Sequence, residues 1–129
     1  MSLPKTVLII EDDRLIRKVL EIRLRQTLKG IRVISAVDGV DATQKIQSEK
    51  PDVILLDLVL PGKNGFDILA DVQNDLKTGK MAVFILSNLS NSQDIDRAVK
   101  LGAKSYFIKS DTDMTRLSTE LLKYFSLLH

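Results

Sequence analysis

In the segment VLIIEDD, residues 7–13, four apolar residues are followed directly by three carboxylates. The same change occurs at residues 53–57, where Val-Ile-Leu-Leu is followed by Asp57. Continuous apolar runs of this length are typical of strands buried on both faces, as in a parallel sheet. Each segment therefore predicts a buried strand whose carboxyl end carries acid.

Apolar runs and helical patterns alternate along the rest of the chain. The predicted strands are Val7–Ile10, Ile31–Ala36, Val53–Leu56, Met81–Leu86 and Tyr106–Ile108. A helical pattern follows each predicted strand. The first helix has Leu15, Ile16, Val19, Leu20 and Leu24 on its apolar face, and the second and third are predicted at Asp41–Ser48 and Phe66–Leu76. The fourth is capped by Asn91 or Ser92 and ends before Gly102, and the fifth begins within Ser110–Asp113 and turns Leu117, Leu121 and Leu122 inward. The alternation predicts an α/β fold, a doubly wound five-stranded parallel sheet.

Composition excludes several classes of function. The chain has 129 residues, no cysteine and a single histidine at its last position, so disulfides, Cys-based metal sites and chemistry needing a positioned His are not expected. The net charge of +2 and the absence of a long apolar run predict a soluble, cytoplasmic protein that binds neither nucleic acid nor membrane. Residues 1–3 resemble a vector-derived extension. We expect residues 1–129 to form one domain, either a whole protein or a segment excised from a longer one.

Chemically distinctive residues fall at the ends of the predicted strands. Glu11 and Asp12 follow the first strand, Asp57 the third, Ser87 the fourth and Lys109 the fifth. Ligands bind at the carboxyl ends of strands in an open parallel sheet, because the strand ends converge there. The sequence therefore predicts one rim that holds three carboxylates, a hydroxyl and an ammonium group.

This set of side chains suits phosphoryl transfer at a metal site. Three carboxylates in one crevice repel each other unless a cation holds them, and oxygen ligands without His or Cys favour Mg²⁺. Asp57 would be the nucleophile, while Ser87 and Lys109 bind phosphoryl oxygens. The alternative is structural: Asp12 or Asp13 caps a helix, Asp57 closes a turn and Lys109 is an ordinary exposed lysine.

Four blocks of sequence resemble the receiver domains of two-component response regulators, typified by the bacterial chemotaxis regulator. They are the acidic block at 7–13, Asp-Leu-Val-Leu-Pro-Gly-Lys-Asn-Gly at 57–65, Phe-Ile-Leu-Ser-Asn at 84–88, and 98–109 with its Gly-Ala pair, Tyr106 and Lys109. The resemblance extends from residue 7 to about residue 127. It implies a flavodoxin-like (βα)5 fold with strand order 2-1-3-4-5.

The resemblance also implies a role for each residue of the rim. Asp57 would be the phosphoacceptor. Asp12 would bind Mg²⁺ directly and Glu11 through water, with the backbone carbonyl of Val59 completing the protein ligands. Lys109 would bind the phosphoryl group.

A switch and its partners follow from the same resemblance. Ser87 would reorient toward the phosphoryl group, and Tyr106 would transmit the shift to the surface of the fourth helix, fifth strand and fifth helix. The donor would be a histidine kinase or a histidine phosphotransfer protein, and a downstream effector would read the surface. The domain would catalyse only its own phosphorylation and dephosphorylation.

Ser110 is one departure from the family pattern, and three other functions remain open. Ser110 stands where the family usually has Pro, after a peptide bond that is commonly cis. Because a cis bond is costly without Pro, the Lys109–Ser110 peptide is either cis and strained or trans, and Ser110 could cap the last helix instead. A pseudo-receiver that is never phosphorylated is one alternative. A dinucleotide-binding enzyme would need a Gly-rich loop after the first strand, and a haloacid-dehalogenase-type phosphatase would need an Asp where Val59 stands.

Overall fold

The computed structural model describes residues 4–75, 77–78 and 80–128. Strands and helices alternate throughout this part of the chain. The elements are β1 Thr6–Ile10, α1 Arg14–Thr27, β2 Arg32–Ala36, α2 Gly39–Glu49, β3 Val53–Leu56, α3 Gly65–Asn74, β4 Ala82–Ser87, α4 Ser92–Lys100, β5 Ser105–Ile108 and α5 Met114–Ser126, with a short 3₁₀ turn at Lys109–Asp111.

The strands form a parallel sheet in the order β2-β1-β3-β4-β5. The predicted fold class and strand order are thus confirmed. Every residue of β1, β3 and β4 is buried, whereas β2 and β5 at the edges are only partly buried. The three longest uninterrupted apolar runs, Val7–Ile10, Val53–Leu56 and Met81–Leu86, thus form the central strands.

Side chains from the two faces of the sheet build two separate cores. Along β1, Val7 and Ile9 enter one core while Leu8 and Ile10 enter the other, as the two-residue period of a strand requires. The first core is closed by α1 and α5, and the second by α2, α3 and α4. Helices thus cover both faces, which is the doubly wound arrangement.

Side-chain caps fix where the helices begin. Asp13 caps α1 by accepting from the Ile16 N–H at 3.0 Å, and Asn91 caps α4 by accepting from the Asp94 N–H at 2.9 Å. Both caps were among the predicted alternatives. The prediction that Ser110 caps the last helix was wrong, because Ser110 lies inside the 3₁₀ turn and Asp113 caps α5.

Three apolar residues predicted to face inward are exposed. Leu15 is 74% exposed and Val19 45%, because α1 packs through a narrower stripe that contains Leu20 and Leu24. On α5, Leu122 is 45% exposed while Leu121 is fully buried.

Two other predictions extend beyond the described residues. The predicted end of the third helix at Leu76 is one, since α3 ends at Asn74, and the assignment of residues 1–3 is the other. The remaining boundaries shift by one or two residues. Within the described chain, no helix is both long and apolar enough to cross a membrane.

Candidate functional site

The loops after β1, β3 and β5 bring the predicted acidic and basic residues into one cleft. Carboxylate oxygens of Glu11, Asp12 and Asp57 lie within 4.8 Å of one another. The cleft has a volume of about 320 Å³ and is lined by Glu11, Asp12, Asp13, Ile16, Asp57, Val59, Asn88 and Lys109. The three carboxylates and the ammonium group of the predicted rim therefore share one cavity at the carboxyl edge of the sheet, whereas the Ser87 hydroxyl is not part of its lining.

Lys109 bridges two buried carboxylates in this cleft. Its Nζ lies 2.5 Å from Glu11 Oε1 and 2.7 Å from Asp57 Oδ2, and the side chains of Glu11 and Asp57 are only 2% and 6% exposed. The described chain contains no cis peptide bond, so the Lys109–Ser110 bond is trans. Of the two geometries left open by the sequence, the trans form holds, and Lys109 reaches the acidic residues from it.

The environment shifts the protonation of the bridged groups. Burial raises the pKa of Glu11 above its usual value of 4.5, although hydrogen bonds from Lys109 and from the backbone of Asp13 act against burial. Burial alone would lower the pKa of Lys109, but hydrogen bonds to Asp57 and Glu11 outweigh it, and the pKa of Lys109 is raised. Lys109 is therefore held as a cation.

The donor set of the cleft fits a hard divalent cation. Glu11, Asp12 and Asp57 supply three carboxylates, and Lys109 is the one cation among the residues that line the cleft. The lining contains oxygen ligands but neither His nor Cys, which favours Mg²⁺ over softer metals. A divalent cation would balance the negative charge of these three carboxylates that Lys109 does not neutralise.

Backbone contacts fix Asp57 at the bottom of the cleft. The Asp57 N–H donates to the carbonyl of Ile10, the last residue of β1, at 3.0 Å, which continues the β1–β3 pairing one residue past the end of β3. The Val59 N–H donates to Asp57 Oδ1 at 3.1 Å, while Lys109 holds Oδ2. Both carboxylate oxygens are thus oriented, and the Val59 side chain stands 57% exposed at the opening.

Ser87 and Tyr106 lie beside the cleft rather than in its lining. Ser87 is fully buried, and its Oγ accepts from the Leu89 N–H at 3.3 Å. The half-buried Tyr106 hydroxyl donates to the Leu89 carbonyl at 2.5 Å. Burial raises the pKa of Tyr106, and a hydrogen bond with Ser87 opposes that rise. These contacts connect the end of β4 to β5 through Leu89.

Comparison with known proteins identifies the family. Residues 7–121 match the family described as "Response regulator receiver domain". The chain belongs to this family. Family members are phosphoacceptor switches that interact with histidine kinases and effectors and bind Mg²⁺ at an acidic pocket. Membership favours a phosphoacceptor switch over the dinucleotide-binding and phosphatase alternatives.

Individual relatives agree with the family assignment. The receiver domain is 33% identical over 104 residues to the transcriptional regulatory protein AfsQ1 of Streptomyces coelicolor, covering 81% of this chain and 44% of that protein. The chain thus spans less than half the length of this curated relative.

Solved structures show the same fold. The signal receiver domain of a DNA-binding response regulator from Colwellia psychrerythraea 34H superposes with a TM-score of 0.89 at 27% identity, covering 95% of this chain and 98% of that one. The phosphorylated cyanobacterial phytochrome response regulator RcpA has a TM-score of 0.81 at 26% identity, covering 95% and 91%.

Two residues that support the cleft of the receiver domain were not predicted from the sequence. The Arg17 guanidinium donates to the carbonyls of Glu11 at 2.9 Å and Asp12 at 3.2 Å, which ties the acidic loop to α1. Asn88 Oδ1 accepts from the Ser110 N–H at 3.2 Å, a bond that a proline at 110 could not make. The presence of Ser110 in place of the family's usual Pro could have predicted the contact with Asn88. No feature of the sequence pattern distinguished Arg17 from the other basic residues of α1.

Gly65 allows α3 to begin directly against the loop that carries Asp57. A Cβ at Gly65 would lie 2.4 Å from the Leu58 Cα and 2.7 Å from the Asp57 carbonyl oxygen, both of which are backbone atoms. The Gly65 N–H also donates to the Leu58 carbonyl at 3.1 Å. The loop that carries Asp57 therefore leaves no space for a side chain at position 65.

We expect Gly65→Ala to lower the free energy of unfolding by about 2 kcal/mol or more, because the backbone around Asp57 must move to admit the methyl group. Urea denaturation measures the change. Gly30→Ala is the matched control, because no atom lies within 4 Å of the position that a Cβ would take there. Its backbone φ is +81°, so we expect a loss of only about 1 kcal/mol from backbone strain. Equal losses in the two variants would contradict the close-packing explanation.

Proposed function

We propose that this receiver domain is a phosphorylation-activated switch that accepts a phosphoryl group from a phosphohistidine donor onto Asp57 in a Mg²⁺-dependent reaction. One observation carries the proposal. The Asp57 carboxylate sits in an open cleft with two further carboxylates within 4.8 Å and the Lys109 ammonium group at 2.7 Å. Acceptor, metal ligands and a cation for the phosphoryl oxygens are all in one place.

The residues present fit a magnesium site. We propose that Asp12, Asp57 and the backbone carbonyl of Val59 hold the ion directly, with Glu11 acting through water. The indirect role of Glu11 is supported by its contacts, because its carboxylate already binds the Lys109 ammonium group and accepts from the Asp13 N–H. When bound, Mg²⁺ neutralises charge on the acceptor and on the incoming phosphoryl oxygens.

The transfer itself requires mainly positioning. A carboxylate oxygen of Asp57 attacks phosphorus, the P–N bond of the donor breaks and an acyl phosphate forms. Lys109 faces the place where the new phosphoryl group arises, because it already binds Asp57 Oδ2. Its ammonium group has three donors, so it can bind a phosphoryl oxygen while keeping its bond to Glu11.

The contacts of Leu89 supply a route for the switch. The phosphoryl group adds roughly two negative charges and three acceptor oxygens next to the end of β4. For Ser87 to bind one of these oxygens, its hydroxyl must turn, which alters its contact with the Leu89 N–H. The Leu89 carbonyl holds the Tyr106 hydroxyl, so the change reaches β5 and the surface formed by α4, β5 and α5.

Retention of this complete set argues against the pseudo-receiver alternative. Asp12, Asp57 and Lys109 line one cleft, and Ser87 ends the adjoining strand. An interaction module that is never phosphorylated has no need to keep three like charges together against their repulsion.

Exposed apolar residues on α1 suit docking of the donor. Leu15, Val19 and Ile22 are 74%, 45% and 56% exposed and lie at helical spacing on one side of α1, whose first turn borders the cleft. A histidine kinase or phosphotransfer protein that presents a phosphohistidine to Asp57 must contact this border. We propose that the exposed face of α1 with Leu15, Val19 and Ile22 is the docking surface for this donor.

We expect Val19→Gln/Ile22→Gln to slow phosphorylation by a histidine phosphotransfer protein about tenfold or more, since two exposed apolar contacts are lost. The reaction with acetyl phosphate should not change, because a small donor needs no docking. Val99→Gln/Leu122→Gln removes two equally exposed apolar residues from α4 and α5 and is the control. Equal slowing with both donors would mean that the substitutions impair the reactivity of Asp57 itself, and it would contradict the docking proposal.

We further propose that residues 1–129 form one receiver domain whose switched surface is read by an effector, in the same polypeptide or in another protein. The transcriptional regulators among its relatives are more than twice as long as the matched segment. The identity of the effector is a separate matter from the phosphorylation of Asp57.

Intact-mass spectrometry after incubation with acetyl phosphate tests the proposal. With Mg²⁺ present we expect one phosphoryl increment, and with EDTA we expect none, because the acidic cleft then repels the donor. Loss of the phosphoryl group in hydroxylamine would mark an acyl phosphate. An increment that persists in EDTA, or its absence with both acetyl phosphate and a phosphotransfer protein, would contradict the proposal.

A further inference from the structure

The edge of the sheet opposite the cleft is lined by basic residues. Each described strand starts at or within a few residues of an exposed lysine or arginine: Lys5, Arg32, Lys50, Lys80 and Lys104. Parallel strands bring their amino ends to one edge, so these cations gather there. These cations make this edge positive relative to the carboxyl edge, where Glu11, Asp12 and Asp57 cluster.

A pocket at this edge concentrates the charge. It has a volume of about 250 Å³ and is lined by Lys5, Lys50, Pro51, Asp52, Lys77, Lys80, Met81, Tyr124 and Leu128. Four lysines therefore face a single carboxylate. Asp52 is already engaged, because its Oδ2 accepts from the Thr6 N–H at 2.8 Å and its Oδ1 lies 3.9 Å from Lys5 Nζ.

The other three lysines have no such partner. Among the described residues, the ammonium groups of Lys50, Lys77 and Lys80 make no ion pair or side-chain hydrogen bond. Nearby Glu49 is paired with Arg32 at 2.8 Å. Like charges around one opening repel each other, and an anion bound between them removes that repulsion.

The remaining lining of the pocket is apolar. Tyr124 is half-buried and packs edge-on against Phe84 with ring centroids 5.5 Å apart, so its ring is held in place. Met81 and Leu128 lie beside it in the lining. The pocket thus combines several point charges with one fixed aromatic wall.

We propose that this pocket binds an oligophosphate, either the phosphate chain of a nucleotide or free inorganic oligophosphate. Lysine ammonium groups bind phosphate oxygens as point charges, and three unpaired ones suit a chain that carries several charges. β3, whose ends face the pocket and the cleft, contributes roughly 13 Å of strand between them. Occupation of the pocket therefore leaves Asp57 accessible, and the proposal does not rest on phosphorylation.

Isothermal titration calorimetry with sodium tripolyphosphate, in low salt without Mg²⁺, tests the site in the full chain. We expect saturable one-to-one binding that weakens about tenfold or more in Lys50→Gln/Lys77→Gln/Lys80→Gln, since each substitution removes a charged contact. Lys18→Gln/Arg23→Gln/Lys100→Gln removes the same charge from other exposed positions and should keep the wild-type affinity within about twofold.

A parallel titration with ATP distinguishes the two sources of phosphate. Equal affinities for ATP and tripolyphosphate support recognition of the phosphate chain alone, and tighter binding of ATP supports an added contact with Tyr124. Urea denaturation shows whether each triple variant is folded. Absence of saturable binding to the folded wild-type chain would overturn the proposal, as would equal weakening in both triple variants.

Discussion

Asp57→Asn will abolish the phosphoryl increment that acetyl phosphate gives in the presence of Mg²⁺. The amide has nearly the same shape as the carboxylate and keeps an oxygen that can accept from the Val59 N–H. Its oxygen is a far weaker nucleophile and carries no charge, so attack on phosphorus is not supported and metal binding is weakened. Intact-mass spectrometry of both chains under identical conditions measures the difference, and we expect complete loss rather than slowing.

A matched variant separates the acceptor from other acids. Asp67→Asn removes an exposed carboxylate from the first turn of α3, ten residues further along the chain. It should be phosphorylated like the wild type. A full increment in Asp57→Asn would mean that another residue is the acceptor, and peptide mapping of the product would then locate it.

The convergence of Glu11, Asp12, Asp57 and Lys109 could be predicted from the sequence for a geometric reason. Each follows a continuous apolar run, and parallel strands place their carboxyl ends at one edge. The strand order needed the family resemblance as well, since the runs alone do not say which strands are neighbours. The structure confirms that order and the location of the cleft.

Side-chain contacts could not be predicted in the same way. Helical spacing made Leu15 and Val19 look like core residues, yet α1 buries a narrower stripe and leaves both exposed. The sequence placed Ser87 correctly at a strand end, but the contact of its hydroxyl with Leu89 depends on how the following loop turns. Such details are fixed by tertiary packing and loop conformation rather than by the spacing of residue types.

Lys109→Met will destabilise the metal-free protein by about 3–5 kcal/mol at neutral pH, because it leaves two buried carboxylates without their cation. Methionine keeps most of the length and apolar contact of the lysine stem, so the change removes mainly the charge. The Lys109 side chain is only 13% exposed, and its partners Glu11 and Asp57 are more buried still. Urea denaturation in EDTA measures the loss, and exposed Lys18→Met should cost no more than about 0.5 kcal/mol.

The pH dependence of this loss shows whether charge is responsible. Burial raises the pKa of Glu11 above 4.5, and the Lys109 hydrogen bond partly offsets that rise, so Lys109→Met raises the pKa further. The folded variant then retains a proton that the unfolded chain releases, and its stability falls as pH rises through this window. We expect a small penalty near or below pH 4.5, growing toward neutral pH. A penalty that is equally large at both pH values would attribute the effect of Lys109 to packing of its stem.

A double-mutant cycle then separates the two bridged carboxylates. If repulsion between uncompensated charges causes the loss, Lys109→Met will cost less in an Asp57→Asn background, with a coupling energy of about 1–3 kcal/mol. Added Mg²⁺ should reduce the penalty in the chain that retains Asp57 and have a smaller effect in the double variant, because the ion and Lys109 neutralise the same carboxylates. Additive losses would instead mean that Lys109 stabilises the protein chiefly through Glu11, to which its Nζ is nearest.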